Sequence, residues 1–426
     1  MISLCRCEKR NTCKFDEIAR VSQVAKYYIF IIIFISFSCG DLIEPVETYQ
    51  EYIDWPSLAE SSWPIMHGDA QHTGRSSFVG PRLESVHLTV QTPFYLESSP
   101  TIDEEGNLYF TTSTDSSFLY KTTPTGERIW RYFLKAGSSG NVSSPTVSSL
   151  ETCYVSDGTH IYSITLAGEL NWQYLSETNT TAISLDKEGN LYYIQGERNT
   201  NNNLVSLTPD GALRWSLSVP GDFRISTDPF TFSTEGDQFY VSGNDSLYAI
   251  SPSGTMVWAY DAIGWIYTIV DNDDNVYFFH HAFNQFISVN KEGNLNWSIH
   301  LADYGITSPN HSLLPTITKD GIIPIIGFTS PGNKMLLVTL DGETVTEVIL
   351  DEVVSTHLVS DSESHVYFGT SIGHVIKMSS SGSILQTMSL SDSLILIPDN
   401  SPSLSSDGTM YLSIYDNPFT QIVGVQ

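Results

Sequence analysis

Positive charge is scarce in this chain: 20 Lys and Arg stand against 48 Asp and Glu, a formal net charge of −28 over 426 residues. Nucleic-acid binding needs a basic footprint, and none exists here, so that class of function is excluded. Six of the basic residues (Arg6, Lys9, Arg10, Lys14, Arg20 and Lys26) fall in a short leader, so residues 40–426 keep 14 basic and 45 acidic groups, a net of −31. Such a surface is repelled by anionic lipid headgroups, and any membrane attachment must come from an anchor. Cysteine is also scarce. Cys5, Cys7, Cys13 and Cys39 lie in the first 39 residues, and only Cys153 lies beyond them. No disulfide can form within the body, which must be stable through a packed core, and Cys153 is expected to be a buried thiol. The apolar run Tyr27–Phe37 has eleven residues, too few for the roughly 20 of a membrane-spanning helix. Zinc-ligand spacings, phosphate-binding loops, nucleophile elbows and haem-attachment motifs are absent.

What the chain has is a repeat. Five tryptophans each follow a glycine by four residues: Gly126/Trp130, Gly168/Trp172, Gly211/Trp215, Gly254/Trp258 and Gly293/Trp297, spaced 42, 43, 43 and 39 residues apart. A period near 40 means copies of one supersecondary unit. In the first copy Ser99–Ile102 is a short apolar run, and Asp103–Asn107 a turn whose Gly and Asn tolerate positive φ. Leu108–Phe110 and Phe118–Lys121 follow as strands rich in β-formers. A turn ending in Gly126 then leads to the fourth strand, Glu127–Tyr132. The second strand carries a counting residue: Tyr109, Tyr154, Tyr192, Tyr240, Tyr277, Pro324, Tyr367 and Tyr411. That makes eight units. In the sixth and seventh the turn stays and the tryptophan goes, with Thr346 after Gly342 and Gln386 after Gly382. The second strands are apolar on both faces, which requires cover on both sides. The tryptophans read as blade-on-blade packing. The last unit stops after three strands, and Val86–Gln91 stands unpaired before the first, placed to complete it and leave no open edge. The expected fold is all-β: an eight-bladed propeller of four-stranded antiparallel blades, its last blade closed by an N-terminal strand.

The segment Leu247-Tyr248-Ala249-Ile250-x-Pro252-x-Gly254-x-x-x-Trp258, and the lead-in Trp63 to Arg75, resemble the PQQ-like (quinoprotein-type) eight-bladed propellers over residues 63–426. The resemblance implies two contrasting functions. Quinoprotein dehydrogenases hold PQQ and calcium in the axial funnel, beside a disulfide of adjacent cysteines. This chain has no adjacent cysteines, and its repeats are close to minimal length. Lipid-anchored propellers of the outer-membrane assembly machinery are instead non-enzymatic and bind proteins.

The leader favours the second. Its basic stretch and apolar run end in Ser36-Phe37-Ser38-Cys39-Gly40, which resembles a bacterial lipoprotein signal with Cys39 as the lipidated residue; Ser36 departs from the usual aliphatic. The domain reading is residues 1–39 as signal peptide, 40–62 as tether and 63–426 as propeller. Other candidates have structural explanations. Asp271–Asn275 looks like the opening of a calcium loop but aligns with the hairpin turn Asp103–Asn107. His280 and His281 are adjacent on a strand, face opposite ways and lack a third ligand. His67 and His72 are expected to make structural hydrogen bonds within the lead-in. The reading is a non-enzymatic, exported lipoprotein of the cell envelope with a protein partner, no cofactor, no metal and no catalytic residue. The alternatives are a PQQ-dependent dehydrogenase and a receptor for a glycan or small ligand, for which Trp265 or Phe283 would serve.

Overall fold

The computed structural model describes residues 50–426 except 93–94, 97, 114–115, 137–141, 177, 197–201, 220–228, 244, 265–266, 311, 330–331, 391–394, 397–399 and 417–418. The leader, Cys39, residues 40–49 and Trp265 lie outside the described residues. The chain divides into two units, Met1–Glu47 and Thr48–Gln426, and the second is a ring of eight antiparallel sheets. Blade 1 runs Thr101–Ile102, Leu108–Ser113, Ser116–Thr122 and Arg128–Ala136 from the axis outward. In the other blades the second strands are Thr152–Ser156, Leu191–Gly196, Phe239–Ser242, Val276–His280, Ile322–Phe328, His365–Gly369 and Met410–Asp416. Each carries its counted residue.

Burial follows the radial position of each strand. Leu108–Ser113, Thr152–Ser156 and Val276–His280 are buried at every residue. The fourth strands Leu170–Leu175, Met256–Asp261 and Ile384–Ser389 alternate between exposed and half-buried residues. A strand covered on both faces needs a neighbouring blade on each side, which a closed ring supplies. Val86–Thr92 pairs antiparallel with Phe419–Val425, Val90 opposite Ile422, so blade 8 takes its outer strand from the start of the domain. Cys153 is a fully buried core thiol, its pKa pushed up by that burial.

The counted tyrosines have a partner that the count did not reveal. Six residues earlier, at the head of the hairpin turn, an aspartate accepts the phenol hydrogen: Tyr109 to Asp103 at 3.0 Å, Tyr192 to Asp186 at 2.6 Å, Tyr277 to Asp271 at 2.7 Å and Tyr367 to Asp361 at 2.9 Å. The same carboxylate accepts backbone N–H groups of its own turn, as Asp271 does from Asp273 and Asn275. The acidic run 271–275 is therefore a turn, closed by Asn275 donating to Asp271 at 2.9 Å.

The five tryptophans form the seams between blades. Each lies over the turn glycine of the next blade. A Cβ on Gly168 would stand 2.9 Å from the ring of Trp130, on Gly211 2.7 Å from Trp172, and on Gly254 3.0 Å from Trp215. On Gly293 it would stand 2.7 Å from Trp258, and on Gly342 2.6 Å from Trp297. No side chain fits there, and Gly211, for one, also holds a left-handed φ of 85°. Each indole N–H donates to the carbonyl two residues before that glycine, at 2.7–3.0 Å: Trp130 to Leu166, Trp172 to Pro209, Trp215 to Pro252, Trp258 to Lys291 and Trp297 to Leu340. The indoles are half-buried rather than enclosed, because they stand on the outermost strands and the neighbouring turn is their principal cover.

Candidate functional site

The candidate site is the propeller axis and the face where the lead-in crosses it. The lead-in curls because it can adopt left-handed backbone: His67, Gly68, His72 and Gly74 have φ of 62°, 92°, 52° and 62°. Gly74 is required there, since a Cβ would meet the His67 ring at 2.6 Å and the Leu358 carbonyl at 2.8 Å. The curl takes a hydrogen bond from blade after blade. A residue on the inner side of each of six blades donates its N–H to a lead-in carbonyl: Ile102 to Trp63, Val147 to Pro64, Phe232 to Ala70, Val270 to Gln71, Ile317 to Thr73 and Ser360 to Gly74, at 2.8–3.0 Å. These donors belong to blades 1, 2, 4, 5, 6 and 7. Blade 3 accepts instead, with the Trp55 indole N–H on the Leu185 carbonyl at 2.9 Å. Blade 8 meets His67 Nδ1 through Ser401 Oγ at 3.2 Å. The lead-in is thus a plug seated on the inner end of every blade. Residues 50–62, expected as the end of a tether, are part of it. Trp55, Leu58 and Ala59 are buried, and Ala59 N–H donates to Val147 at 3.0 Å. Apolar side chains at these positions prefer the inner strands to water.

Beneath the plug the described inner strands present hydroxyls. Inner-strand hydroxyls tie blades to their neighbours at three junctions: Thr146 donates to the Ile183 carbonyl at 2.8 Å, Thr231 to that of Thr268 at 3.0 Å, and Ser403 to that of Pro100. Three buried histidines meet there. The His67 ring lies edge-on to His72 at 6.4 Å and to His357 at 5.8 Å between centroids. His67 Nε2 donates to the Pro315 carbonyl at 3.0 Å, and its Nδ1 lies 3.2 Å from Ser401 Oγ. His357 Nδ1 accepts the Leu314 N–H at 3.0 Å, which places its proton on Nε2. That pattern requires a neutral imidazole. Burial lowers the pKa of His67 to about 4 and of His72 to about 3, and it lowers that of His357 as well. The expected structural role of His67 and His72 is realised here. His357 carries no motif, and nothing local to it points to residues nearly 300 positions away.

PQQ is a polyanion, and its holder needs cations. Within Trp63–Arg75 the one guanidinium is that of Arg75, whose hydrogens go to the carbonyls of Ile317 at 3.2 Å and Glu51 at 2.8 Å. The only cysteine among the described residues is Cys153, enclosed within blade 2. Among the described residues, one cluster has metal-ligand spacing: Asp361, Glu363 and His365. Its groups are already engaged in a turn. Asp361 accepts the N–H groups of Gly80, Glu363 and His365 and the hydroxyl of Tyr367. His365 Nδ1 sits 3.1 Å from Asp361, taking the place that the Asn275 amide holds in blade 5. His280 ends the second strand of blade 5 and His281 opens the 3-10 turn His281–Phe283, so the pair forms no joint site. Phe283 is exposed, and its ring lies tilted against that of His280 with 4.6 Å between centroids.

With the ring and its plug in place, relatives can be compared. The profile of the family described as outer membrane protein assembly factor BamB matches residues 75–230 and again 201–347. The chain belongs to this PQQ-repeat family. No curated protein sequence matches it significantly. Among solved structures, the quinohemoprotein alcohol dehydrogenase of Comamonas testosteroni superposes with a TM-score of 0.63 at 14% identity, covering 87% of this chain and 81% of its own. The corresponding enzyme ADHIIG of Pseudomonas putida HK5 gives 0.64 at 13%, covering 87% and 82%. BamB of Moraxella catarrhalis gives 0.41 at 14%, covering 64% of this chain and 91% of its own. At such identities the dehydrogenases share the BamB-family chain's fold, and nothing about their chemistry transfers with it.

Proposed function

We propose that this BamB-family propeller is a non-catalytic protein-binding scaffold, exported and held at a membrane through a lipid on Cys39, and active in envelope assembly. One observation carries the reading: the chain seats its own lead-in on the axis, above neutral imidazoles and hydroxyls already bonded to neighbouring blades. A ring built this way offers a rigid frame for loops and edges rather than a reaction chamber. The acidic surface and the scarcity of Lys and Arg after residue 39 make the lipid the means of attachment.

Two experiments test this. Titrating the protein with PQQ and calcium should leave the quinone absorbance unchanged; a stoichiometric bound-quinone band would restore the dehydrogenase reading. In cells that make the protein, labelled fatty acid should enter the wild-type chain but not Cys39→Ala, which should also leave the membrane fraction. Labelling that survives the substitution removes the anchor from the proposal.

A further inference from the structure

Where the lead-in leaves the axis it opens a groove. Two cavities, about 800 and 430 Å3, lie between the lead-in and the turn tips of blades 7, 8 and 1, and they share Ser77, Phe78 and Ser406 in their walls. Phe78 stands between them. Its backbone is held at both ends: its N–H donates to Ser76 Oγ at 3.1 Å, and its carbonyl accepts the Ser362 N–H at 3.0 Å. Phe78 is nonetheless 38% exposed, next to Val79 at 49%. The same strip buries Pro81 and Leu83, and Pro81 accepts the Tyr367 hydroxyl at 3.2 Å. An apolar pair therefore faces outward, with the Phe78 backbone fixed at both ends. The floor stays open because its turns end in glycine. A Cβ on Gly408, which has a φ of 84°, would stand 3.2 Å from the Val79 carbonyl. The rim is acidic: Glu60, Glu84, Glu104 and Asp407 are exposed there, against Arg82.

We propose that this groove binds an extended, cationic segment of a partner protein, seating an apolar side chain on Phe78 and placing Lys or Arg against Glu60 and Glu104. The proposal rests on the scaffold reading and names its contact surface. A fixed aromatic anchor beside open pockets is the arrangement that concentrates binding energy, and the carboxylate rim steers and selects a basic partner.

The test uses the full chain and a fluorescein-labelled peptide alternating Lys with Leu and Phe. Fluorescence anisotropy should show saturable binding, and Glu60→Lys/Glu104→Lys should weaken it at least tenfold. Phe78→Ser, which changes no charge, should weaken it at least fivefold. Glu127→Lys/Glu169→Lys, with the same net charge as the first double variant but on exposed outer turns, should bind within twofold of wild type. Equal losses in both double variants, or no loss in Phe78→Ser, would mean diffuse attraction to an acidic protein and overturn the groove. In cells, a photo-crosslinking side chain at position 78 should join a Lys/Arg-rich segment of another protein. Adducts with lipid, or with the basic leader of this chain, overturn the assignment. Adducts only from a probe at Ile349, on the fourth strand of blade 6, move the site and leave the scaffold reading standing. No protein adduct from either position removes the scaffold reading as well.

Discussion

The seams between blades differ in kind, and their difference shows how a repeat is closed by something that is not a repeat. From blade 1 to blade 6 each junction uses one indole, its ring over a turn glycine and its N–H on a turn carbonyl. From blade 7 to blade 8 the indole is gone. Gln386 stands at its position and donates its amide to the Leu83 carbonyl at 3.1 Å. Leu83 belongs to the lead-in and precedes the outer strand of blade 8 as Leu166 precedes that of blade 2. The hydrogen bond survives with a different donor and a different acceptor, while the aromatic cover does not. Lys377 adds a second contact to the same strip, 3.2 Å from the Pro81 carbonyl. At the junction of blades 6 and 7 only aliphatic atoms meet the turn, with Val348 2.8 Å and Thr346 2.9 Å from a Cβ built on Gly382. The regular junctions are local and redundant. The closing one depends on the lead-in.

That contrast can be broken most severely by removing the lead-in. Deleting residues 50–75 exposes the inner strands and takes away Trp55, Leu58, Trp63, Ile65 and Met66, all buried. At about 1.5–3 kcal/mol for each enclosed side chain the loss is on the order of 10 kcal/mol, comparable to the whole stability of a domain. Circular dichroism should show no cooperative melt. A melt near the wild-type temperature would show that the ring closes without its plug.

Acid should act on the same region. In the unfolded chain imidazoles take up protons near pH 6.5, whereas folded His67 and His72 stay neutral down to about pH 4 and pH 3. Between those values the unfolded state binds more protons, so stability falls as pH drops, by about 1.4 kcal/mol per pH unit for each histidine. Burial raises the carboxyls of Asp69 and Asp271, which opposes this trend near pH 4. Urea midpoints measured from pH 7 to pH 4.5 should fall steeply, and less steeply in His72→Gln. A flat profile would mean that the histidines are open to water.

The regular seam is next. Trp172→Ala removes a half-buried ring and leaves the Pro209 carbonyl without its 2.9 Å donor. An enclosed tryptophan costs about 3–5 kcal/mol on truncation, and partial exposure brings the expectation to about 2–3 kcal/mol by chemical denaturation. The smallest effect belongs to the closing seam: Gln386→Ala should cost about 1 kcal/mol, the worth of one hydrogen bond. If Gln386→Ala proves as costly as Trp172→Ala, the two seams are equivalent after all.

Much of this was readable in the chain. The turn glycines, the tyrosine series and the unpaired Val86–Gln91 yielded eight blades and their closure, because hairpin geometry is set by neighbouring residues. The Asp103–Tyr109 spacing recurs at Asp186, Asp271 and Asp361 and was equally available, but a count of tyrosines alone passes over it. The plug was not legible. Residues 50–62 have the composition of a tether, and nothing local shows that Trp55 reaches Leu185, 130 positions on.

The amino-acid order by itself determines the repeat, its turns and the tryptophan seams, since each of these joins residues of one unit or of the next. Only the closed ring decides where the lead-in goes. Its six backbone acceptors meet donors on six separate blades, and His67, His72 and His357 become one buried group only when residues about 290 positions apart are carried to the same axis.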